Sequence, residues 1–201
     1  HLLSRRQRQM CIRDRFKTYS ACVLNNQESL WEIAFNPTGS SFKDNAGYWA
    51  TYNGPLVDAP GCKPTENSKF MGRANAFFRV LPCWKSFFEE NDERRDVMVV
   101  DYQLKWDKTL YNHVKKSKAD DPANWYPGKW RREWMELGFI DPNLTGVNYC
   151  PLRYADAVLM AAEAYNETNN TPEAWNLLNQ VRERAGATPV SSLQELSLIH
   201  I

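Results

Sequence analysis

The 34 residues from Arg153 to Gly186 constrain the fold more than any other part of this 201-residue chain. From Tyr154 onward, apolar side chains recur at Tyr154, Val158, Ala162 and Tyr165, with Leu159 and Ala161 beside them, which is the spacing of one buried helical face. A second helix follows. Thr171 suits an N-cap, Pro172 the first helical position and Glu173 the positive end of the dipole, while Gly186 supplies a left-handed residue at the end. Its apolar stripe is Ala174, Leu177, Leu178 and Val181. The small Ala162 and Ala174 let two antiparallel helices approach closely, and the length is that of a tetratricopeptide unit. One such unit cannot bury its own face, so other helices must pack on it; the chain contains no second good copy.

Upstream of this pair, three more elements stand in a fixed order. Glu28-Ser29-Leu30-Trp31-Glu32-Ile33-Ala34-Phe35 reads as a strand. Arg79-Val80-Leu81-Pro82 is followed by Phe87-Phe88 and Asp92-Glu93-Arg94-Arg95, and Gly128-Lys129-Trp130-Arg131 precedes the helices. Together with Asn148 to Gly186, these resemble the C-terminal region of the SusD/RagB family, nutrient-binding lipoproteins of the outer membrane of Bacteroidetes-type bacteria. The resemblance covers about Glu28 to Gly186. It implies a mainly α fold, with tetratricopeptide-like helix pairs packed on a loop-rich region that holds a few short strands.

Both ends of the chain read as sequencing-adapter translation. Arg5-Arg6-Gln7-Arg8-Gln9 and Met10-Cys11-Ile12-Arg13-Asp14-Arg15 are what CGT CGG CAG CGT CAG and ATG TGT ATA AGA GAC AG encode, the last codon completed by one further base. Leu196-Ser197-Leu198-Ile199-His200-Ile201 translates CTG TCT CTT ATA CAC ATC, the reverse complement of the same transposase end. Residues 1–15 and 196–201 are therefore set apart from the fold, and 16–195 are treated as the family-like region, incomplete at both ends. Ser192-Leu193-Gln194-Glu195 has the form of a capping box, as if another helix begins there. A signal peptide and lipid-bearing Cys are expected upstream of Phe16.

Setting residues 1–15 aside removes five Arg and one Asp, so 25 basic and 24 acidic residues become 20 and 23, net −3. Basic clusters are then limited to Lys115-Lys116 and the run from Lys129 to Arg132, which gives no case for nucleic acid. No apolar run reaches membrane-spanning length. Cys22, Cys62, Cys83 and Cys150 are dispersed and His113 is isolated, so no metal-ligand spacing exists and no cofactor is expected. Because family members fold after export, the resemblance allows a disulfide, with Cys62 and Cys83 nearest in sequence. Otherwise these residues are expected to be buried thiols.

The local reading places a strand over Leu30 to Phe35, a polar loop from Asn36 to about Lys69, a helix around Leu81 to Asn91, a strand around Val97 to Tyr102 and irregular chain from Trp106 to Asn148. Eight Trp is many for this length. A flat ring can stack on the apolar face of a sugar while neighbouring polar groups bond the hydroxyls. Trp31, Trp134 and Trp175 lie within helix or strand patterns and are expected in the core. Tyr48, Trp49 and Tyr52, in a segment too polar to form a core, are the candidate stacking platform, with Asp44 and Asn45 as hydroxyl partners and Trp125 and Tyr126 as a second choice.

Glu89, Glu90, Asp92 and Glu93 invite a glycosidase reading, but they stand in one charged run beside Arg94 and Arg95. A catalytic pair needs a fixed separation across a cleft and one carboxyl kept protonated by burial. Neither a phosphate-binding loop nor a nucleophile elbow is present. Arg153, at a helix start that the dipole makes unfavourable for a cation, calls for a carboxylate or backbone partner, and Arg182 for a partner on a neighbouring element.

The resemblance implies surface capture of oligosaccharides, delivery to a TonB-dependent transporter of the SusC type, no catalysis, and contact with the membrane only through an N-terminal lipid. Two alternatives stand beside it: a peptide-binding member of the same family, and an intracellular tetratricopeptide adaptor. The adaptor would require tandem repeats, where one is found.

Overall fold

The computed structural model describes residues 12–21, 23, 28–36, 47–58, 72–106, 114–118, 121–135 and 143–191. In chain order the elements are α1 (Ile12–Ser20), β1 (Ser29–Ile33), α2 (Trp49–Asn53), β2 (Val57–Asp58), α3 (Pro82–Ser86), α4 (Glu93–Met98), β3 (Val99–Val100), β4 (Tyr102–Trp106), β5 (Val114–Lys118), β6 (Tyr126–Pro127), β7 (Tyr149–Arg153), α5 (Tyr154–Glu167) and α6 (Thr171–Arg184). Two 3-10 turns, Pro122–Asn124 and Arg132–Trp134, complete the set. The chain is mostly helical with a few short strands.

The α5–α6 pair forms as its sequence dictates. Ala162, Ala174 and Leu178 are buried together with Val190, and Leu159, Trp175 and Leu177 close over them. The two alanines, at 4% and 0% exposure, leave room for close helix approach, and burial of a side chain such as Leu178 contributes about 2 kcal/mol. Val190 is held in this cluster by Asn179, whose amide donates to Val190 O at 3.0 Å and whose Oδ1 accepts from Val190 N–H at 2.8 Å. The buried stripe of α5 is Ala155, Val158 and Ala162. Tyr154 and Tyr165, expected on that face, are each 40% exposed. At 3.6 residues per turn they lie roughly 50–75° off its centre, where a phenol keeps its oxygen in water.

Both ends of the pair are chemically defined. Arg153 N–H donates to Asp156 Oδ2 at 3.0 Å and the Arg153 guanidinium reaches Oδ1 of the same carboxylate at 3.3 Å, the partner its position called for. The cap of α6 falls on Asn170, with Thr171 its first helical residue. At the far end Gly186 has φ +73°, its N–H bonds Glu183 O at 3.1 Å, and Ala187 N–H bonds Arg182 O at 3.0 Å. This is a Schellman motif, and Gly serves it because a Cβ there would be strained and would lie 2.9 Å from Asn91 O.

The strands form three small sheets: β1 with β7 antiparallel, β2 parallel to β4 with β5 antiparallel on its other side, and β3 with β6 antiparallel. The expected helix over 81–91 is shorter and is followed by a second one, because Asp92 starts α4 by accepting Arg94 N–H at 2.9 Å. The expected 97–102 strand is divided accordingly into the end of α4, β3 and the start of β4. The segment 36–69 is not wholly irregular, since it contains α2 and β2; 106–148 contains β5, β6 and both 3-10 turns.

Trp134 packs on Val97 and Ala185, and Trp175 joins the α5–α6 cluster, as expected of core residues. Trp31 does not: it is 61% exposed on the two-stranded β1–β7 ribbon, which lacks a layer over that face among the described residues. Cys83 is an exposed thiol and Cys150 a half-buried one, against the expectation of burial. Cys22, Cys62 and the Ser192–Glu195 capping box lie outside the described residues. No described helix is long and apolar enough to cross a membrane.

Candidate functional site

The short helix α2 is amphipathic within little more than one turn. Gly47 fixes its entry through reciprocal bonds with Thr145, N–H to O at 2.9 and 2.8 Å. Ala50 then enters a cluster with Met135 and Val147, over which Trp49 and Trp130 pack. Tyr48 and Tyr52 are four residues apart and so share a face of the helix. Their rings stack at 5.5 Å between centroids and 21° between planes.

Phe77 extends this stack into a column. Its ring lies 5.0 Å from that of Tyr52 at 19°, brought there by the bond from Asn75 N–H to Thr51 O at 2.8 Å. The preceding residue, Ala76, takes φ +49°, a left-handed conformation costing about 1–2 kcal/mol for a non-glycine residue. The Arg79 guanidinium accordingly bonds Ala76 O. Tyr52 thus stacks with both neighbouring rings and is 37% exposed, whereas Phe77 is 65% exposed.

One guanidinium ties the segments that carry this column. Arg132, 1% exposed, donates from Nε to Arg73 O at 2.8 Å, from Nη1 to Leu144 O at 3.2 Å and from Nη2 to Thr51 Oγ1 at 3.0 Å. Thr51 in turn donates to Asn143 O.

The sequence-predicted residues part company here. Tyr48 and Tyr52 are brought together as a stack. Trp49 faces the other way, half-buried edge-on to Trp130 at 5.4 Å and tilted against Tyr149 at 4.7 Å, so it anchors α2 rather than presenting a face. Asp44 and Asn45 lie outside the described residues. Of the second choice, Tyr126 is 1% exposed with Arg79 4.5 Å above its ring, which leaves no surface for a ligand. Trp125 is half-buried with Lys85 Nζ 4.9 Å from its ring. Phe77 and Arg132 were missed. Phe77 stands in a segment without periodicity, and Arg132 reads in sequence as part of a basic run.

The acidic run is occupied structurally. Asp92 is 4% exposed and caps α4, and Glu89 accepts from Thr188 N–H at 2.9 Å and pairs with Arg182. The Thr188 hydrogen bonds, with Arg182 beside them, hold the Glu89 carboxyl below its usual range. Among the described residues no group of three His, Cys, Asp or Glu is placed to hold a metal ion.

The family model described as the SusD family matches residues 84–196, more than half of the chain. The chain belongs to the SusD family. No curated protein sequence matches it. Among solved structures it is similar to a SusD homologue from Bacteroides thetaiotaomicron VPI-5482, with 27% identity, TM-score 0.69, and 90% of this chain and 36% of that one covered. A laminarin-binding SusD-like protein matches with 24% identity and TM-score 0.61, covering 90% and 40%. Surface glycan-binding protein A of B. thetaiotaomicron, solved with laminarihexaose, matches with 17% identity and TM-score 0.60, again covering 90% and 40%. The chain thus spans about two-fifths of the length of these SusD-like proteins, and the last two likenesses speak for fold.

Proposed function

We propose that this SusD-family protein binds oligosaccharides at the outer-membrane surface, held there by a lipid anchor, and delivers them uncleaved to a TonB-dependent transporter of the SusC type. The observation that carries the reading is the Tyr48–Tyr52–Phe77 column, whose outermost ring, Phe77, has an open face. The C–H face of a pyranose fits such a ring, and the phenol oxygens of the two tyrosines lie at the column's edge as hydroxyl partners. A laminarin-binding SusD-like protein and a surface glycan-binding protein solved with laminarihexaose share the fold, which supports a glycan as the ligand class. The engagement of Glu89 and Asp92 in capping and ion pairing supports binding without hydrolysis, since it removes the most suggestive carboxylates from catalytic duty.

Native affinity electrophoresis in gels containing laminarin, amylopectin, xylan or levan tests this. Retardation in at least one gel, with no reducing sugar released on incubation, is the expected result. Migration unaltered in all four, or steady release of reducing ends, overturns it.

A further inference from the structure

Resting on the platform reading above, the geometry points to Arg132 as the positioning residue of the aromatic column: its buried guanidinium sets where Phe77 stands over Tyr52 while touching neither ring's ligand face. The column is assembled from two chain segments far apart in sequence, and stacking between two rings leaves sliding motions weakly opposed. What fixes the offset is the backbone beneath. Arg132 Nε holds Arg73 O, four residues before Phe77, and Nη2 holds Thr51 Oγ1, adjacent to Tyr52. Nη1 holds Leu144 O, next to Thr145, the residue that pins Gly47 at the entry to α2. The three donors diverge in the rigid plane of one guanidinium, so the three segments are held at fixed separations. A lysine ammonium, a point donor on a flexible stem, cannot reproduce this fork.

Burial strengthens the case. At 1% exposure the guanidinium is withdrawn from water, and its hydrogen bonds to backbone carbonyls are charge-assisted and correspondingly stiff. Thr51 is fully buried as well and serves as a relay, since it accepts from Arg132, donates to Asn143 O, and through its own carbonyl receives Asn75 N–H. The strained Ala76 lies between these tethers and Phe77. Binding sites hold their geometry to about half an ångström only when an inner layer of this kind locks the contacting side chains.

The experiment uses the full chain and the same four polysaccharide gels, with Thr51→Val, Arg132→Lys, Phe77→Ala and Leu178→Ala, each kept well below its melting temperature. Thr51→Val keeps shape and removes the hydroxyl link, and Leu178→Ala is a destabilised control in the distant helix pair. Expected are an affinity loss of about five- to tenfold for Thr51→Val and at least as much for Arg132→Lys, with Leu178→Ala binding as the parent. Thr51→Ser, which restores the hydroxyl, returns most of the affinity. Parent-like binding by both Thr51→Val and Arg132→Lys, while Phe77→Ala is impaired, overturns the positioning role and leaves the platform standing. Parent-like binding by Phe77→Ala overturns the platform and the role built on it.

Discussion

Replacing Phe77 with Ala separates the two tyrosines' structural contribution from the ring that meets the ligand. Within the column Tyr52 stacks with Tyr48 at 5.5 Å and with Phe77 at 5.0 Å. Phe77 is the more open ring, at 65% exposure against 37% for Tyr52, and is where a sugar is expected to stack. An aromatic side chain buries about 150–250 Å² in full, so one ring face covered by a pyranose accounts for roughly a third of that, or about 1.5 kcal/mol, a factor of about ten in affinity. The deletion also uncovers Tyr52, which recovers part of the loss, so the expected effect of Phe77→Ala is about five- to tenfold. Tyr52→Ala is expected to cost at least as much although Tyr52 is less exposed than Phe77, because Phe77 is then left without support. Folding is little affected by Phe77→Ala, which gives up an aromatic pair of about 0.5–1.5 kcal/mol and no core. Isothermal titration with the retained polysaccharide, alongside thermal melts, reads both quantities. Undiminished affinity in Phe77→Ala would refute the reasoning, and a large loss in Trp49→Phe beside it would place the contact on the ring that packs against Trp130 and Tyr149.

Gly186→Ala is expected to lower stability by about 1–3 kcal/mol, read by urea denaturation, because φ is +73° and the new Cβ would meet Asn91 O at 2.9 Å. Lys129→Met is expected to raise stability at pH 7 and to flatten its pH profile. Burial first, then the nearby Arg153, brings the Lys129 ammonium down to about 8 from 10.5, with Asp156 opposing. Between about pH 8 and 10 the unfolded chain thus holds a proton that the folded one has released, so parental stability rises with pH across that window. Thermal melts that still show this rise in Lys129→Met would assign it to another group. Trp49→Phe is expected to cost less than a core truncation of about 3–5 kcal/mol, since among the described residues Trp49 Nε1 has no acceptor to lose.

How much of this was legible follows from the range over which each feature is determined. The helix pair was readable because a 3.6-residue period, a proline near the helix start and a glycine at the end are local properties, and the Schellman bonds of Gly186 and Ala187 fall where that glycine put them. The error at Tyr154 and Tyr165 came from counting a phenol as wholly apolar, when its flanking position lets the ring pack and the oxygen stay wet. Asp92 shows the opposite failure. In sequence it is one acid among four; in the fold it is buried at a helix start, a role set by where α4 docks against Ala185. The site was half legible for the same reason. Tyr48 and Tyr52 share a helix face by their spacing, but Phe77 joins them through a bond between Asn75 and Thr51, and no period links positions 52 and 77. Arg132 is further still from any pattern, since its meaning lies in three oxygens contributed by residues 51, 73 and 144. A surface that recognises an extended polymer can be built from rings found by spacing. The offset between those rings, which decides the sugar shape they accept, is written in the buried polar contacts beneath them, and those contacts become visible only when the chain is folded.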